Sequence, residues 1–195
     1  ALLGETQLRI VDLTNNKTIS NLSLPSDEDL SLTSAAFSPD GKQLALNYDI
    51  ADCSKENGTW KCKINQKISI YDVKTGKEVK TLSSSSVQYV PRRLTFSSSG
   101  KFLSGALLGA GVWDVDSGNQ VYNSVTAKDF HIKDSTISPD ANWLATYAEA
   151  SNVPTTRRLT LTNLASKEER QLDSERTLFF KFSDDSKSLM AIGNK

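Results

Sequence analysis

The chain has 195 residues, with 23 acidic and 23 basic side chains, so its net charge is zero. A chain of this length can bury a sizeable core in one domain. Zero net charge argues against binding to nucleic acid or to anionic membranes, because both usually need a basic excess. No apolar run approaches the roughly 20 residues of a membrane span, so we expect no membrane insertion.

Short runs rich in β-branched and aromatic residues recur along the whole chain and predict strands. Each run is followed by turn formers such as TNNK or DSGN. No stretch keeps the 3.6-residue apolar period of a helix over three turns. The sequence therefore predicts an all-β protein, with clear strands at LRIVDL (8–13), KISIYDV (67–73), GVWDV (111–115) and RRLTLTNL (157–164).

A first anchor motif, an apolar residue followed by a small polar turn, recurs four times. Its copies are FSPDG (37–41), FSSSG (96–100), ISPDA (137–141) and FSDDS (182–186). A leucine follows each apolar residue at a fixed distance, at Leu44, Leu103, Leu144 and Leu189. The turn needs small or φ-fixed residues, so the motif predicts a strand, a tight turn and a second strand.

A second anchor motif ends a third strand and leads through another turn into a fourth. Its copies are VDL (11–13), YDV (71–73), WDV (113–115) and TNL (162–164). The distance from each second anchor to the next first anchor is nearly constant, whereas the distance from first to second anchor varies widely. This pattern predicts a fixed four-stranded unit that tolerates insertion at one corner.

The sequence resembles the WD40-like β-propeller family in FSPDGKQLA (37–45), ISPDANWLA (137–145), VWDVDSG (112–118) and IYDVKTG (70–76). The resemblance covers essentially the whole chain, and the motifs recur in register. Only Trp113-Asp114 is a true WD dipeptide, and no Gly-His pair precedes a first strand, so the repeats are degenerate. The resemblance implies β-propeller blades of four antiparallel strands, a to d from inside to outside.

On this reading, residues 1–195 are a single propeller domain or a propeller segment with about four blades. Three blades are complete, at about 33–82, 91–126 and 134–173, and a mixed blade combines 177–195 with 7–24. Either both termini complete that blade, which removes exposed strand edges, or the chain is a piece of a larger ring. The larger ring is then one long chain or a head-to-tail homodimer, in which a neighbouring chain completes the blade.

The two cysteines, Cys53 and Cys62, flank Asn57-Gly58 symmetrically inside the insertion at 49–66. Asn-Gly is the strongest signal for a two-residue hairpin turn, because both residues need positive φ. Pairing outward from this turn sets the cysteines opposite each other as a non-hydrogen-bonded pair, close enough for a disulfide. Such a disulfide contributes about 2–3 kcal/mol, less any strain, in an oxidising compartment. The alternative is two free thiols in a reducing cytosol.

The sequence offers few residues for catalysis or metal binding. It has a single histidine, His131, which lies far from both cysteines, whereas zinc needs at least three protein ligands. The segment DVDSGN (114–119) lacks the closing glutamate of a calcium loop, and SSSGK (97–101) lacks the first glycine of a phosphate loop. We therefore predict no enzyme activity, no cofactor and no metal site.

The resemblance predicts a non-catalytic protein–protein interaction scaffold. Its partner would meet the face that bears the b–c and d–a connections, where the insertions 49–66 and 148–157 project. The candidate partner-binding residues are exposed aromatic and charged side chains, namely Lys55, Glu56, Trp60, Lys61, Tyr89 and Arg157. The alternative function is an accessory or gating propeller domain of a larger enzyme or sensor protein.

The first residues, ALLGETQ, do not form a signal peptide, because they lack a basic region and a long apolar stretch. We expect either that a leader has been removed or that the chain is an excised piece. The predicted disulfide favours an exported, periplasmic or cell-surface protein, and the alternative is a cytoplasmic one.

Overall fold

The computed structural model describes residues 8–24, 29–82, 93–106, 109–125, 129–153, 156–172 and 176–194. Within these ranges the chain forms strands joined by turns, as the β-branched and aromatic runs predict. No described segment is a helix long and apolar enough to cross a bilayer. The predicted partner-binding residue Tyr89 and the N-terminal ALLG lie outside the described residues.

The described strands follow one another as successive antiparallel neighbours. In chain order they are β1 (Leu8–Asp12), β2 (Lys17–Leu22), β3 (Asp29–Phe37), β4 (Gln43–Glu56), β5 (Thr59–Asp72), β6 (Glu78–Leu82), β7 (Arg93–Phe96), β8 (Phe102–Ala106), β9 (Gly109–Asp114), β10 (Gln120–Val125), β11 (Phe130–Ile137), β12 (Trp143–Ala150), β13 (Arg157–Asn163), β14 (Glu169–Leu172), β15 (Arg176–Phe182) and β16 (Leu189–Asn194).

Three four-stranded antiparallel meanders make up most of the structure: sheet I (β3–β6), sheet II (β7–β10) and sheet III (β11–β14). Two further sheets have two strands each, the N-terminal sheet (β1–β2) and the C-terminal sheet (β15–β16). Each four-stranded sheet carries one first anchor and one second anchor, which confirms the predicted four-stranded unit. In the described residues the two terminal sheets do not pair with each other.

The first anchors form the turns between strands a and b through a repeated side-chain pattern. In sheet I, Ser38 Oγ donates to Asp40 Oδ1 over 2.7 Å, and the Gln43 amide donates to Ser38 Oγ over 2.9 Å. The equivalent bonds form around Ser138 in sheet III. A residue with positive φ completes each turn: Gly41 (69°), Gly100 (73°), Ala141 (60°) and Ser186 (61°).

The sheets pack face to face in chain order. The core between sheets I and II includes Ile70, Leu103 and Trp113. Equivalent clusters lie between the three remaining pairs of adjacent sheets. The leucine that follows each first anchor faces the preceding sheet, and Leu103 and Leu144 are fully buried there. Burying one such side chain stabilises the fold by about 1.5–3 kcal/mol.

Polar contacts also link neighbouring sheets. Ser98 Oγ donates to the carbonyl oxygen of Pro139 over 2.8 Å, so successive a–b turns touch each other. Arg93 lies 2.5 Å from Asp134 of sheet III. Burial raises the pKa of the Asp134 carboxyl, and the Arg93 guanidinium partly opposes this rise. These two contacts join sheet II to sheet III and place the a–b turns of both sheets side by side.

Candidate functional site

A long hairpin projects from sheet I at its b–c corner. Strands β4 and β5 pair without interruption from Gln43 opposite Asp72 to Glu56 opposite Thr59, so the insertion extends both strands and forms no separate loop. Asn57 (φ 49°) and Gly58 (φ 81°) form its two-residue turn, as the Asn-Gly signal predicts. We call residues 53–62 the finger.

A disulfide clamps the base of the finger. Cys53 and Cys62 are directly opposite each other in the β4–β5 ladder, and their Sγ atoms are bonded. Their Cα atoms lie 4.0 Å apart, the short spacing of a non-hydrogen-bonded pair. The hairpin register and the disulfide that the sequence predicts are therefore both present.

The finger has two chemically different faces, because side chains alternate along each strand. One face carries the disulfide together with Lys55 and Trp60, which are cross-strand partners. The other face carries Glu56 and Lys61, joined by an ion pair of 2.7 Å. Trp60 is 66% exposed, an unusual position for a large aromatic side chain. Four of the predicted partner-binding residues thus lie together, two on each face.

Ionic contacts link the strands of sheet I below the finger. Lys67 forms a 2.9 Å ion pair with Glu78 on the neighbouring strand β6, and its ammonium lies 5.9 Å from the ring centre of Tyr48. Burial opposes ionisation of Glu78, but hydrogen bonds from Thr81 and Lys67 outweigh it and hold the Glu78 pKa below its usual value. Strands β4, β5 and β6 are therefore linked to one another below the finger.

Arg157 lies at the b–c corner of sheet III, on the same side of the molecule as the finger. Its Nε atom is 3.5 Å from Glu149 Oε1, and Tyr147 donates its hydroxyl proton to the same carboxyl oxygen over 3.1 Å. The Arg157 side chain is partly buried. The structure thus separates Arg157 from the four finger residues and engages it in a local ion pair.

The b–c corner of sheet III carries three further candidate residues, Phe130, Glu149 and Arg158, that the sequence analysis did not identify. Glu149 lies between His131 and Arg157 in one row across three strands. Arg158 stacks on Phe130, with the guanidinium carbon 3.9 Å from the ring centre. These contacts depend on the registers of β11, β12 and β13, and the connection between β12 and β13 carries no two-residue turn signal. In the sequence, only the insertion 148–157 and Arg157 marked this corner.

Among the described residues, no group of three or more histidine, cysteine, aspartate or glutamate side chains is arranged to hold a metal ion. His131 has Glu149 as its strand partner, but both cysteines are in the finger of another sheet. The candidate site is the exposed finger, which carries the aromatic side chain of Trp60 and the charged side chains of Lys55, Glu56 and Lys61.

No family model matches the sequence, and no curated protein matches it. Solved structures do match. The Dos1 propeller has a TM-score of 0.64 at 12% identity, over 97% of this chain and 45% of that chain. The chain has a β-propeller fold. The RRP9 WD40 repeats match with a TM-score of 0.51 at 15% identity, over 75% of this chain and 39% of that one.

A further match is to hydrazine synthase from Kuenenia stuttgartiensis, with a TM-score of 0.54 and 16% identity. This match covers 95% of the propeller chain described here and 67% of the hydrazine synthase chain. The chain therefore spans less than half of the Dos1 and RRP9 structures, and two thirds of the synthase chain. Sheets I to III correspond to propeller blades.

Proposed function

We propose that this propeller is a non-catalytic scaffold that binds another protein through the finger and the b–c corners beside it. The observation that carries the proposal is the exposure of Trp60 next to Lys55 on a projecting hairpin. Tryptophan residues are enriched at the energetic centres of protein interfaces. Propellers commonly serve as binding scaffolds, and functional residues concentrate on the connections that a rigid fold positions.

The finger's construction supports this role. Binding costs about 0.5–1.5 kcal/mol for each flexible side chain that becomes ordered, and a preorganised loop avoids part of the ordering cost. The Asn57-Gly58 turn, the Cys53–Cys62 disulfide and the Glu56–Lys61 ion pair all restrict the hairpin before any partner arrives. A rigid finger with one aromatic face is therefore suited to insertion into a groove of a partner protein.

Site-specific photo-crosslinking tests the proposal. A photoreactive amino acid replaces Trp60 in one variant and Val121 in a control variant. Val121 is also an exposed apolar residue, but it lies on the outer strand β10. In the native host, position 60 should yield a discrete crosslinked protein, and position 121 should yield none. Equal crosslinking from both positions, or none from position 60, would exclude the finger as the binding surface.

The match to hydrazine synthase favours a second candidate, an accessory or gating propeller domain of a larger enzyme or sensor. Almost the whole chain superposes on part of a chain from that enzyme. In this case the finger would contact a catalytic or sensory domain of the same protein. Sequencing the gene that encodes the chain distinguishes the two, because the second candidate requires an adjoining catalytic or sensory domain.

A further inference from the structure

The b–c corners of sheets I, II and III extend to different heights. Strand b ends at Glu56 in sheet I, Ala106 in sheet II and Ala150 in sheet III, which are twelve, three and six residues beyond the equivalent leucines of the first anchors. At about 3.3 Å per residue, the finger extends about 30 Å beyond the corner of sheet II, and the corner of sheet III about 10 Å beyond it. Because sheet II packs between sheets I and III, the space above its corner is a notch with two walls.

The first wall of the notch is the face of the finger that carries Lys55 and Trp60. Side chains alternate along a strand, so Trp60 lies on the same face of β5 as Ile68 and Ile70. Those two residues belong to the core between sheets I and II. Lys55 is the cross-strand partner of Trp60 and shares its face. This face of the finger therefore continues the face of sheet I that packs on sheet II.

The second wall of the notch belongs to sheet III. Ala148 lies in the core between sheets II and III, and Phe130 packs against the same core. Arg158 is the strand partner of Ala148, so its exposed side chain is on that face too. The Arg158 guanidinium stacks on the Phe130 ring, and a stacked guanidinium keeps N–H groups at its edge that can bind a carboxylate. Each wall thus carries one cation beside one aromatic ring.

Lys55 and Arg158 differ from the neighbouring cations in their ion pairing. Lys61 and Arg157, on the opposite faces of the same two hairpins, are each paired with a glutamate. Among the described residues, neither Lys55 nor Arg158 forms an ion pair. The segments of sheets I to III that lie outside the described residues supply no carboxylate, because they contain no aspartate or glutamate: 83–92, 107–108, 126–128 and 154–155.

We propose that the notch binds an extended, acidic segment of the partner protein, with carboxylates on Lys55 and Arg158 and apolar side chains against Trp60 and Phe130. This inference rests on the proposed function and specifies the chemistry of the partner. The zero net charge of the chain favours a protein segment over a nucleic acid, whose phosphates need a larger basic excess.

The distance between the two cations sets the length of the segment. Lys55 lies eleven residues beyond Leu44, and Ala148, the strand partner of Arg158, lies four residues beyond Leu144. The two levels therefore differ by about 23 Å along the strands. An extended segment needs at least about seven residues to span this difference.

Titration of fluorescein-labelled peptides into the purified chain tests the inference. The probe is a peptide of about 12 residues that alternates glutamate and leucine, which is long enough to reach both cations. Lys55→Ala and Arg158→Ala should each weaken its binding about fivefold, the upper range for an exposed ion pair. Lys61→Ala is the matched control and should bind like the wild type, because Lys61 lies on the opposite face of the finger. All three side chains are exposed, so the variants should fold.

Three outcomes would overturn the acidic-segment inference. These are no binding of the glutamate peptide, equal binding of a peptide with glutamine in place of glutamate, and tighter binding of single-stranded oligodeoxythymidine. If Lys55→Ala weakened binding and Arg158→Ala did not, the finger alone would bind the peptide, which contradicts the notch and keeps the proposed function. The proposed function fails separately, when a photoreactive group at position 60 yields no specific crosslink.

Discussion

Gly111 lies directly against the indole ring of Trp113, so a Cβ atom at position 111 would stand 2.4 Å from ring carbon Cη2. The two residues are on one face of β9, and Trp113 belongs to the core between sheets I and II. Real Cβ atoms do not approach a ring so closely. The only Trp-Asp dipeptide of the chain therefore depends on a glycine two residues before it.

We predict that Gly111→Ala destabilises the protein by about 1–3 kcal/mol through overpacking. Trp113→Phe removes the two ring carbons nearest to position 111. In the Trp113→Phe variant, Gly111→Ala should therefore lower the free energy of unfolding by less than it does in the wild type. Urea unfolding of the wild type, both single variants and the double variant measures the coupling, which we expect to exceed about 0.5 kcal/mol. If Gly111→Ala lowered the free energy of unfolding equally in the wild type and in the Trp113→Phe variant, the contact with the ring would not restrict position 111.

The a–b turns offer a matched pair of substitutions. Gly41 and Ala141 occupy equivalent positions with φ of 69° and 60°, a conformation that costs a non-glycine residue about 1–2 kcal/mol. Nothing lies within 4 Å of a Cβ at position 41, so Gly41→Ala should destabilise by about 1 kcal/mol through φ alone. Ala141→Gly should stabilise by less, because its methyl group is partly buried. Thermal unfolding should show a lower melting temperature for Gly41→Ala and a higher one for Ala141→Gly than for the wild type.

The aspartates of the c–d turns should make the stability of the folded protein sensitive to acid. Hydrogen bonds from Ser117 hold the pKa of Asp114 below its ordinary value of 3.8, and bonds from Thr75 act in the same way on Asp72. Because the folded pKa is lower than the unfolded one, this stabilisation is present above about pH 4. It is lost as the pH falls through the folded pKa.

Asn163 occupies the equivalent position in the c–d turn of sheet III and serves as an internal control for the aspartates. Its side-chain oxygen accepts the amides of Ala165 and Ser166 over 3.0 and 2.9 Å, so a neutral residue closes the fourth turn. The variant Asp72→Asn/Asp114→Asn keeps an acceptor in each turn but removes the charge, so it should be somewhat less stable than the wild type near pH 7 and lose less stability between pH 7 and pH 3. A pH dependence identical to that of the wild type would contradict the assigned role of these carboxylates.

The disulfide should restrain the finger more than the core. The cysteines and the segment between them are exposed, so the hairpin end can open without disturbing the buried strands. Hydrogen exchange of Cys53→Ser/Cys62→Ser should be faster at Ser54 and Lys61, and unchanged in β12. The free energy of unfolding should fall by no more than about 2–3 kcal/mol. Faster exchange throughout β12 would instead assign the disulfide to global stability.

Much of the fold could be predicted from local chemistry. The positive-φ requirement at Asn57-Gly58 defines the hairpin, and the alternation of strand pairs then places Cys53 opposite Cys62. The repeated anchors predict four-stranded sheets because each turn needs the same few residue types. These features depend on neighbours close in sequence, so the sequence alone was enough to predict them.

Contacts between distant segments were harder to predict. The Arg93–Asp134 ion pair joins two sheets, and the Arg157–Glu149 pair depends on the register across the connection between β12 and β13. Neither is encoded by a turn signal or by spacing. The sequence also allowed the terminal strands to form one mixed blade, but in the described residues they lie in separate sheets, with Met190 exposed. The local sequence of these strands does not determine which strand pairs with their edges.

The binding of a purified partner, once crosslinking has identified it, tests the proposed scaffold role most directly. The measurement compares wild type, Trp60→Ala and the control Val121→Ala by titration calorimetry. We predict that Trp60→Ala weakens binding by at least about 2 kcal/mol, roughly thirtyfold, as for an interface hot spot. Val121→Ala should bind like the wild type. Unchanged affinity of the Trp60→Ala variant would contradict the assignment of the finger as the binding surface.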